Sequence, residues 1–287
     1  MQAENMNMDT RLTGVMICGA GHSGSTLLGL VLGRAAGAFY VGEGAKIRYL
    51  HDLNKPLRKR ACKVCGEDCP IWSDFHWDQE HPLYQQVAAH TGAHIIVDSS
   101  KNPAWISARS KELTAADDKA VLIFLKRDGR AVLNSRFRKY PERDAEAQIR
   151  SWMDQIEASR ALFDTFTGPK MAVRYEELAT SPEVVFGEIC QMADIPYRSD
   201  MLAFKDGNSH PMGGNTGTQF VAARERVEGD PDAILKLTPR THDYYAKHSG
   251  DIMLDLRWKT EMSAPHLALF NEMAGEFNAD MAWGDEG

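Results

Sequence analysis

Glycine, serine and threonine crowd into Gly19-Ala-Gly-His-Ser-Gly24-Ser25-Thr26, between the apolar run Gly14 to Cys18 and the helix-forming stretch TLLGLVLGRAAG. A glycine-rich turn from a buried strand into a helix aims backbone amides, and the positive end of the helix, at an anion. The spacing follows the phosphate-binding pattern G-x-x-x-x-G-K-[ST], with Ser25 in the lysine position. Without that lysine, triphosphate chemistry loses much of its charge neutralisation. A second segment, Leu125-Lys-Arg127-Asp128-Gly-Arg130-Ala-Val-Leu-Asn-Ser135, closes another apolar run. An arginine at the carboxyl edge of a parallel sheet can hold a phosphate through two hydrogen bonds, and a serine two helical turns later can face the same group. Taken alone, that segment reads more readily as a helix start capped by Asp128 with solvated arginines.

These segments need a scaffold. Gly14 to Cys18 (GVMIC), His94 to Val97 (HIIV) and Ala120 to Leu125 (AVLIFL) read as buried strands with polar residues at their carboxyl ends, and Lys170 to Val173 (KMAV) adds another. Helical patterns lie between and after them. Ile149, Met153, Ile156 and Phe163 recur at helical spacing within Ala145 to Phe166, and a helix runs from about Pro182 to Met192 behind the candidate caps Thr180 and Ser181. Leu267, Phe270, Met273, Phe277 and Met281 mark a further amphipathic helix. Strands alternating with helices predict an α/β fold, a mostly parallel central sheet flanked by helices, with a P-loop-like phosphate-binding loop after the first strand. Gly207 to Gly217 reads as a loop and Glu228 to Asp232 as a turn, neither resembling a domain linker. Residues 1–287 are therefore expected to form one domain, with 1–12 as a flexible tail and 51–80 as a cysteine-containing insertion.

Of the 287 residues, 43% are hydrophobic and 25% charged, a balance that builds a core without disulfide staples. The formal charge of -7 argues against non-specific binding to nucleic acid or an anionic membrane. No window approaches the roughly 18 apolar residues of a membrane span, and the opening MQAENMNMDT lacks the order of a secretory signal. A soluble, cytoplasmic protein is expected.

Together the two phosphate-binding segments resemble the sulfotransferases that use 3'-phosphoadenosine 5'-phosphosulfate (PAPS). The phosphosulfate loop of that family is similar to His22-Ser-Gly-Ser-Thr-Leu27, and its 3'-phosphate segment is similar to Arg127-Asp-Gly-Arg-Ala-Val-Leu-Asn-Ser135. The bacterial branch is further resembled in Gly42-Glu43, Val97-Asp-Ser-Ser-Lys101, Val173-Arg-Tyr-Glu-Glu-Leu178 and His210-Pro-Met-Gly-Gly-Asn215, so the resemblance extends over residues 14–217. It implies transfer of a sulfuryl group to a hydroxyl or amine, with adenosine 3',5'-bisphosphate leaving and no catalytic metal. Loop amides from Gly21 through His22, Ser23 and Gly24 to Thr26, with the Ser25 and Thr26 hydroxyls, would hold the 5'-phosphate. Arg127 and Ser135 would hold the 3'-phosphate, with Arg130 a weaker candidate.

The same resemblance makes Glu43 the general base, with burial raising its pKa into a useful range, and lets the Lys101 ammonium reach the sulfuryl oxygens. A helix-start glutamate and a solvated lysine are the plain alternatives. Two positions depart from the family pattern: His22 replaces a lysine or arginine, and Thr218 stands where an arginine is usual. A protonated His22, its pKa raised by the phosphate, would supply the missing charge.

Cys62, Cys65 and Cys69 have near-metal spacing. Reduced packing cysteines are preferred here over a structural zinc, whose fourth ligand would come from His51, His76 or His81, and over a disulfide. The rival function is a P-loop kinase using ATP and magnesium, with Asp98 ending a strand as a metal ligand; a third is a non-catalytic nucleotide-binding module. The acceptor would be a small molecule, a glycan or a lipid headgroup, met by the irregular stretches Arg48 to Trp77 and Asn208 to Glu228.

Overall fold

In the computed structural model, which describes residues 11–223, 235, 237, 239–246 and 250–284, five strands form one parallel sheet in the order β2-β3-β1-β4-β5. They are β1 (Thr13–Gly19), β2 (Ala38–Gly42), β3 (Ile95–Asp98), β4 (Lys119–Lys126) and β5 (Lys170–Arg174). The sequence missed only β2 as a named strand, having read Phe39 to Val41 as a short apolar segment. The N-terminal tail through residue 10 and the predicted turn Glu228 to Asp232 lie outside the described residues; Leu12, expected in the tail, is buried and packs in the core.

β1 and β4 are apolar along their length because both faces of the sheet are covered. Alternate residues point opposite ways. Met16, Cys18, Leu122 and Phe124 pack on one face with Leu83, Ile106, Ile149, Trp152 and Ile156, which belong to α3 (Leu83–Thr91), α4 (Pro103–Ala115) and α6 (Ala145–Thr165). On the other face Val15, Ile17, Val121 and Ile123 meet Leu28, Phe186 and Ile189 from α1 (Ser25–Leu32) and α8 (Pro182–Ala193). The helix starts carry ordinary caps: Asn102 accepts from the Trp105 amide before α4, and Asp144 from the Ala147 amide before α6. Ser181, proposed as a cap, precedes α8 without a side-chain cap bond.

β1 occupies the middle of the sheet, paired with β3 on one side and β4 on the other. The chain leaves it for one edge and later crosses to the other, which opens a crevice beside the loop that follows β1. That loop makes its turn in a few residues. Gly24 carries φ 95 at the start of α1, and a Cβ there would stand 2.6 Å from the Tyr175 ring. By contrast, a Cβ at Gly187, within α8, meets nothing within 4 Å. Gly24→Ala should therefore destabilise by about 2–4 kcal/mol, from left-handed strain plus a forced shift of Tyr175. Gly187→Ala should stabilise by about 0.5–1 kcal/mol. Urea midpoints at constant m-value test both signs, and equal shifts in one direction would contradict the geometry.

Candidate active site

The carboxyl ends of the strands surround a cavity of about 380 Å³. Its walls include Gly21, His22, Gly24, Ser25 and Thr26 from the loop after β1; Glu43 and Lys46 after β2; Lys101 after β3; and Arg127, Ser135 and Lys139 at β4 and α5 (Gly129–Lys139). Gly214, Asn215 and Thr218 close another side. Segments more than a hundred residues apart thus meet because the parallel sheet delivers their loops to one edge.

Most of the predicted residues line this cavity, with two differences at the loop. Ser23 is not part of the lining: it is 1% exposed, and its hydroxyl has no hydrogen-bond partner among the described residues. The Gly21 amide donates to Gln155 Oε1 at 3.1 Å, so α6 takes the amide expected to face a phosphate. Thr26 Oγ1 accepts the Asn215 amide at 2.8 Å, tying the loop to residues 210–215.

His22 lies between the two other groups assigned to phosphate. Its Nδ1 meets Ser135 Oγ at 2.9 Å, and its carbonyl accepts from Arg127 Nη1 at 2.9 Å. The Arg127 guanidinium also meets Asp255 at 3.3 Å and lies 4.1 Å from the centre of the Tyr175 ring, while its Nε is buried without a partner among the described residues. Desolvation, with the positive charges of Lys139, Arg136, Arg127 and Lys101, pushes the imidazole down to about 3. His22 is therefore neutral in the ligand-free protein, whereas the protonated form was expected beside a bound phosphate. The site already holds the cations that a lysine in the loop would have supplied, and they repel a further proton.

Glu43 follows β2, its amide held by the Met212 carbonyl at 2.8 Å. Its carboxylate pairs with Lys46 Nζ at 2.6 Å and Lys101 Nζ at 3.1 Å. Desolvation alone would raise its pKa, but the Lys101 and Lys46 ammoniums outweigh it and hold the carboxyl at about 2. The expected raised pKa is therefore corrected. Lys101 also donates to the Ser99 carbonyl at 2.6 Å and sits at φ 62, as His22 sits at φ 76. Both are non-glycine residues in the left-handed region, a local strain that surrounding structure must hold in place.

Arg130 is occupied elsewhere. It forms a two-pronged pair with Asp128 through Nε and Nη2, at 3.0 and 2.6 Å, and its guanidinium lies over the Trp258 ring. Asp128 caps α5 by accepting the Arg130 amide at 2.9 Å, so the helix-start reading describes these two residues. Asp98 is likewise spent within the fold. It is 1% exposed and accepts from Tyr84 Oη (2.8 Å), Trp105 Nε1 (2.9 Å), the Gly44 amide (3.1 Å), the Ser100 amide (2.7 Å) and Ser100 Oγ (2.5 Å). That removes the magnesium ligand on which the kinase reading rested.

Lys46, Lys139, Arg136 and Arg257 were missed. Lys139 stands one helical turn beyond Ser135, a spacing that would have found it. Arg257, held on Asp255 at 2.8 Å, reaches the cavity from a segment with no sequence signal. Among the described residues none between 48 and 77 lines the cavity, so the first predicted acceptor stretch is not at this site; residues 224–228 of the second lie outside the description. Within 48–77, Cys62, Cys65 and Cys69 converge on His210 rather than on the histidines proposed. His51 stacks on His76, and His81 pairs with Asp78.

Residues 14–199 match the model of the sulfotransferase family, and the chain belongs to that family. No curated protein matches it significantly. Among solved structures, it is similar to the sulfotransferase domain from the curacin biosynthetic pathway, with 18% identity, a TM-score of 0.53 and coverage of 92% of this chain and 98% of that one. It is also similar to the sulfotransferase domain from the Synechococcus PCC 7002 olefin synthase, with 18% identity, a TM-score of 0.54 and coverage of 96% and 98%. These similarities establish the α/β sulfotransferase fold. No helix among the described residues is long and apolar enough to cross a membrane.

Two measurements follow from these environments. The folded protein keeps His22 neutral where the unfolded chain binds a proton. The stability this contributes is complete above the ordinary histidine pKa of 6.5 and is lost as pH falls from there towards about 3. Asparagine tolerates the left-handed backbone, so in His22→Asn unfolding free energy should fall less steeply across this window, by up to about 1.4 kcal/mol per pH unit. Identical slopes would contradict it. Asp98→Asn should destabilise by about 2–4 kcal/mol in urea, because the donors on one of the two carboxylate oxygens, either Tyr84 and Trp105 or Gly44 and Ser100, would face an NH2 group instead of an acceptor. A change below about 0.5 kcal/mol would deny Asp98 that role.

Proposed function

We propose that this sulfotransferase moves the sulfuryl group of PAPS to a hydroxyl or amine of a small-molecule acceptor. The supporting observation is the convergence on one cavity of an anion-binding turn, the Arg127–Ser135 segment, and a carboxylate held between two lysines. The cavity is rich in cationic groups, and the buried Arg127 Nε, without a hydrogen-bond partner among the described residues, suits a phosphate acceptor.

The 5'-phosphate fits the turn from His22 to Thr26 at the start of α1, where helix-end charge and backbone amides favour an anion. Arg127 and Ser135 suit the 3'-phosphate. In the transfer the acceptor oxygen or nitrogen bonds to sulfur as the bond from sulfur to the 5'-phosphate oxygen breaks. The acceptor's proton passes to a Glu43 carboxylate oxygen, and the electron pair leaves with the bisphosphate. Lys101 and Lys46 offset the negative charge gathering on that oxygen.

Glu43 and the donor compete for the same two ammoniums. When the donor's anionic groups draw Lys101 and Lys46 away, desolvation is left to raise the Glu43 pKa, so the base gains strength only when there is a sulfuryl group to transfer. The loop after β1 needs no lysine in this scheme, because Lys101, Lys46 and Lys139 bring charge from neighbouring loops.

Calorimetric titration with adenosine 3',5'-bisphosphate is expected to show binding that weakens about 10- to 100-fold in Arg127→Ala. Preference for ATP with magnesium would overturn the donor assignment. Glu43→Gln should keep that binding and lose about 10²- to 10⁴-fold in turnover. Glu43 acts only when ionised, and Lys46 helps hold its pKa low. In Lys46→Met the acid limb of kcat/KM for the donor, which reports the free enzyme, should therefore move to higher pH; an unmoved limb would remove Glu43 as the base.

A further inference from the structure

The stretch between β2 and α3 has little regular structure, only the 3-10 turn Gly44–Tyr49 and the one-turn helix α2 (Leu57–Arg60) among the described residues. Yet Ala61, Cys62, Val64, Cys69, Trp72 and Phe75 in it are nearly fully buried. Long irregular segments inside a domain need something to hold them.

The cysteines provide it. Cys62, Cys65 and Cys69 bring their sulfurs, and His210 an imidazole nitrogen, to within 4.8 Å of one another. Cys65 Sγ and Cys69 Sγ stand 3.2 and 3.4 Å from His210 Nδ1. The edges of a tetrahedral zinc site, built from its usual bond lengths, are about 3.8 Å between sulfurs and about 3.6 Å from sulfur to nitrogen. The Val64 and Cys65 amides each approach Cys62 Sγ at 3.4 Å, and Gly66, at φ 77, turns the chain back so that its amide meets the Cys62 carbonyl at 3.2 Å. Such a turn presents two sulfurs of a Cys-x-x-Cys pair to one ion, with amide hydrogens that favour the thiolate. All five cysteines are free, so no disulfide competes for these sulfurs.

We propose that Cys62, Cys65, Cys69 and His210 bind one zinc ion as a closed structural site, and that the ion fixes the active-site wall. Four protein ligands leave no open position for substrate, and three thiolates with one imidazole suit zinc among divalent ions. Ile47, Val64, Trp72, Phe75 and Met212 belong to the same buried cluster as Cys62 and Cys69. The backbone around His210 is held from the cysteine side, with Trp72 Nε1 on the His210 carbonyl at 2.6 Å and the Lys63 amide on the Pro211 carbonyl at 3.0 Å.

From His210 the chain runs straight into the cavity. Met212 pairs with Val41 and Glu43 through backbone bonds of 2.8 Å each, and the Asn215 amide holds Thr26 Oγ1. Five residues thus connect the zinc ligand to both the proposed base and the phosphate loop. Metal binding rests on the four ligands alone. Its effect on the cavity also rests on the proposed function.

The full chain, purified under reducing conditions with zinc present, should carry one zinc per molecule by elemental analysis. Cobalt in its place should give the intense thiolate-to-cobalt absorption of a tetrahedral site. Cys65→Ser and His210→Ala should lose the zinc, His210→Cys should retain it, and Cys18→Ser and Cys190→Ser should be unaffected. Wild-type protein that holds no zinc after incubation with the ion, or holds it equally in Cys65→Ser, overturns the site. Should the ligand variants fail to fold, the cobalt spectrum and the stoichiometry of the wild type decide. Chelation should weaken bisphosphate binding by about tenfold or more, and restored zinc should recover it. Unchanged affinity overturns the coupling. Zinc bound with no bisphosphate affinity in either form would leave the metal site standing and remove the proposed donor.

Discussion

The arrangement depends on one constraint: the central strand must pass from a sheet buried on both faces into a helix within a few residues. Only a chain with glycine at the helix start can turn there, because the Tyr175 ring occupies the space a side chain would need. The same ring lies beneath the Arg127 guanidinium. One packing contact therefore sets both the shape of the loop after β1 and the position of a cation, and α1, buried along its whole length, cannot shift to relieve it.

Around that turn the cavity is lined by Lys46, Lys101, Arg127, Lys139 and Arg257, and such a concentration of cations favours an anionic ligand. Burial first, and then the charges of Lys139, Arg136, Arg127 and Lys101, keep His22 unprotonated, and two lysines keep Glu43 ionised. Excess positive charge in a partly enclosed cavity is unfavourable by itself; Glu43, Asp255 and the His22 and Ser99 carbonyls offset part of it in the free protein. On the proposed function, the donor's oxygens would take over from those internal partners.

Four of the five strands and the helices α1, α6 and α8 were legible because burial on both faces leaves continuous apolar runs, as in AVLIFL, and helical spacing leaves Ile149 and Ile156 in register. The turn after β1 was legible for the same reason, a strand and a helix being written on either side of it. Protonation states were not. They depend on cations such as Lys46 and Lys139, whose arrival at one cavity is a property of tertiary packing. Arg130 and Asp98 show the converse: each carries a suggestive motif position, and each is taken up by neighbours from distant segments. The fourth partner of the cysteine cluster lies 141 residues from Cys69, beyond the reach of any local spacing rule.

Asp128 carries a different consequence. Besides capping its own helix it accepts from Asn278 Nδ2 at 3.2 Å and from the Trp283 amide at 3.0 Å, the latter across 155 residues of sequence. On the ribosome the start of α5, next to Arg127, must therefore wait for a long stretch of chain before its carboxylate is fully matched. The sheet and the turn after β1 make no such demand, whereas Arg127 stands beside a helix start that residues 278–283 complete. A chain cut short of those residues would leave the Asp128 carboxylate buried with two of its partners missing.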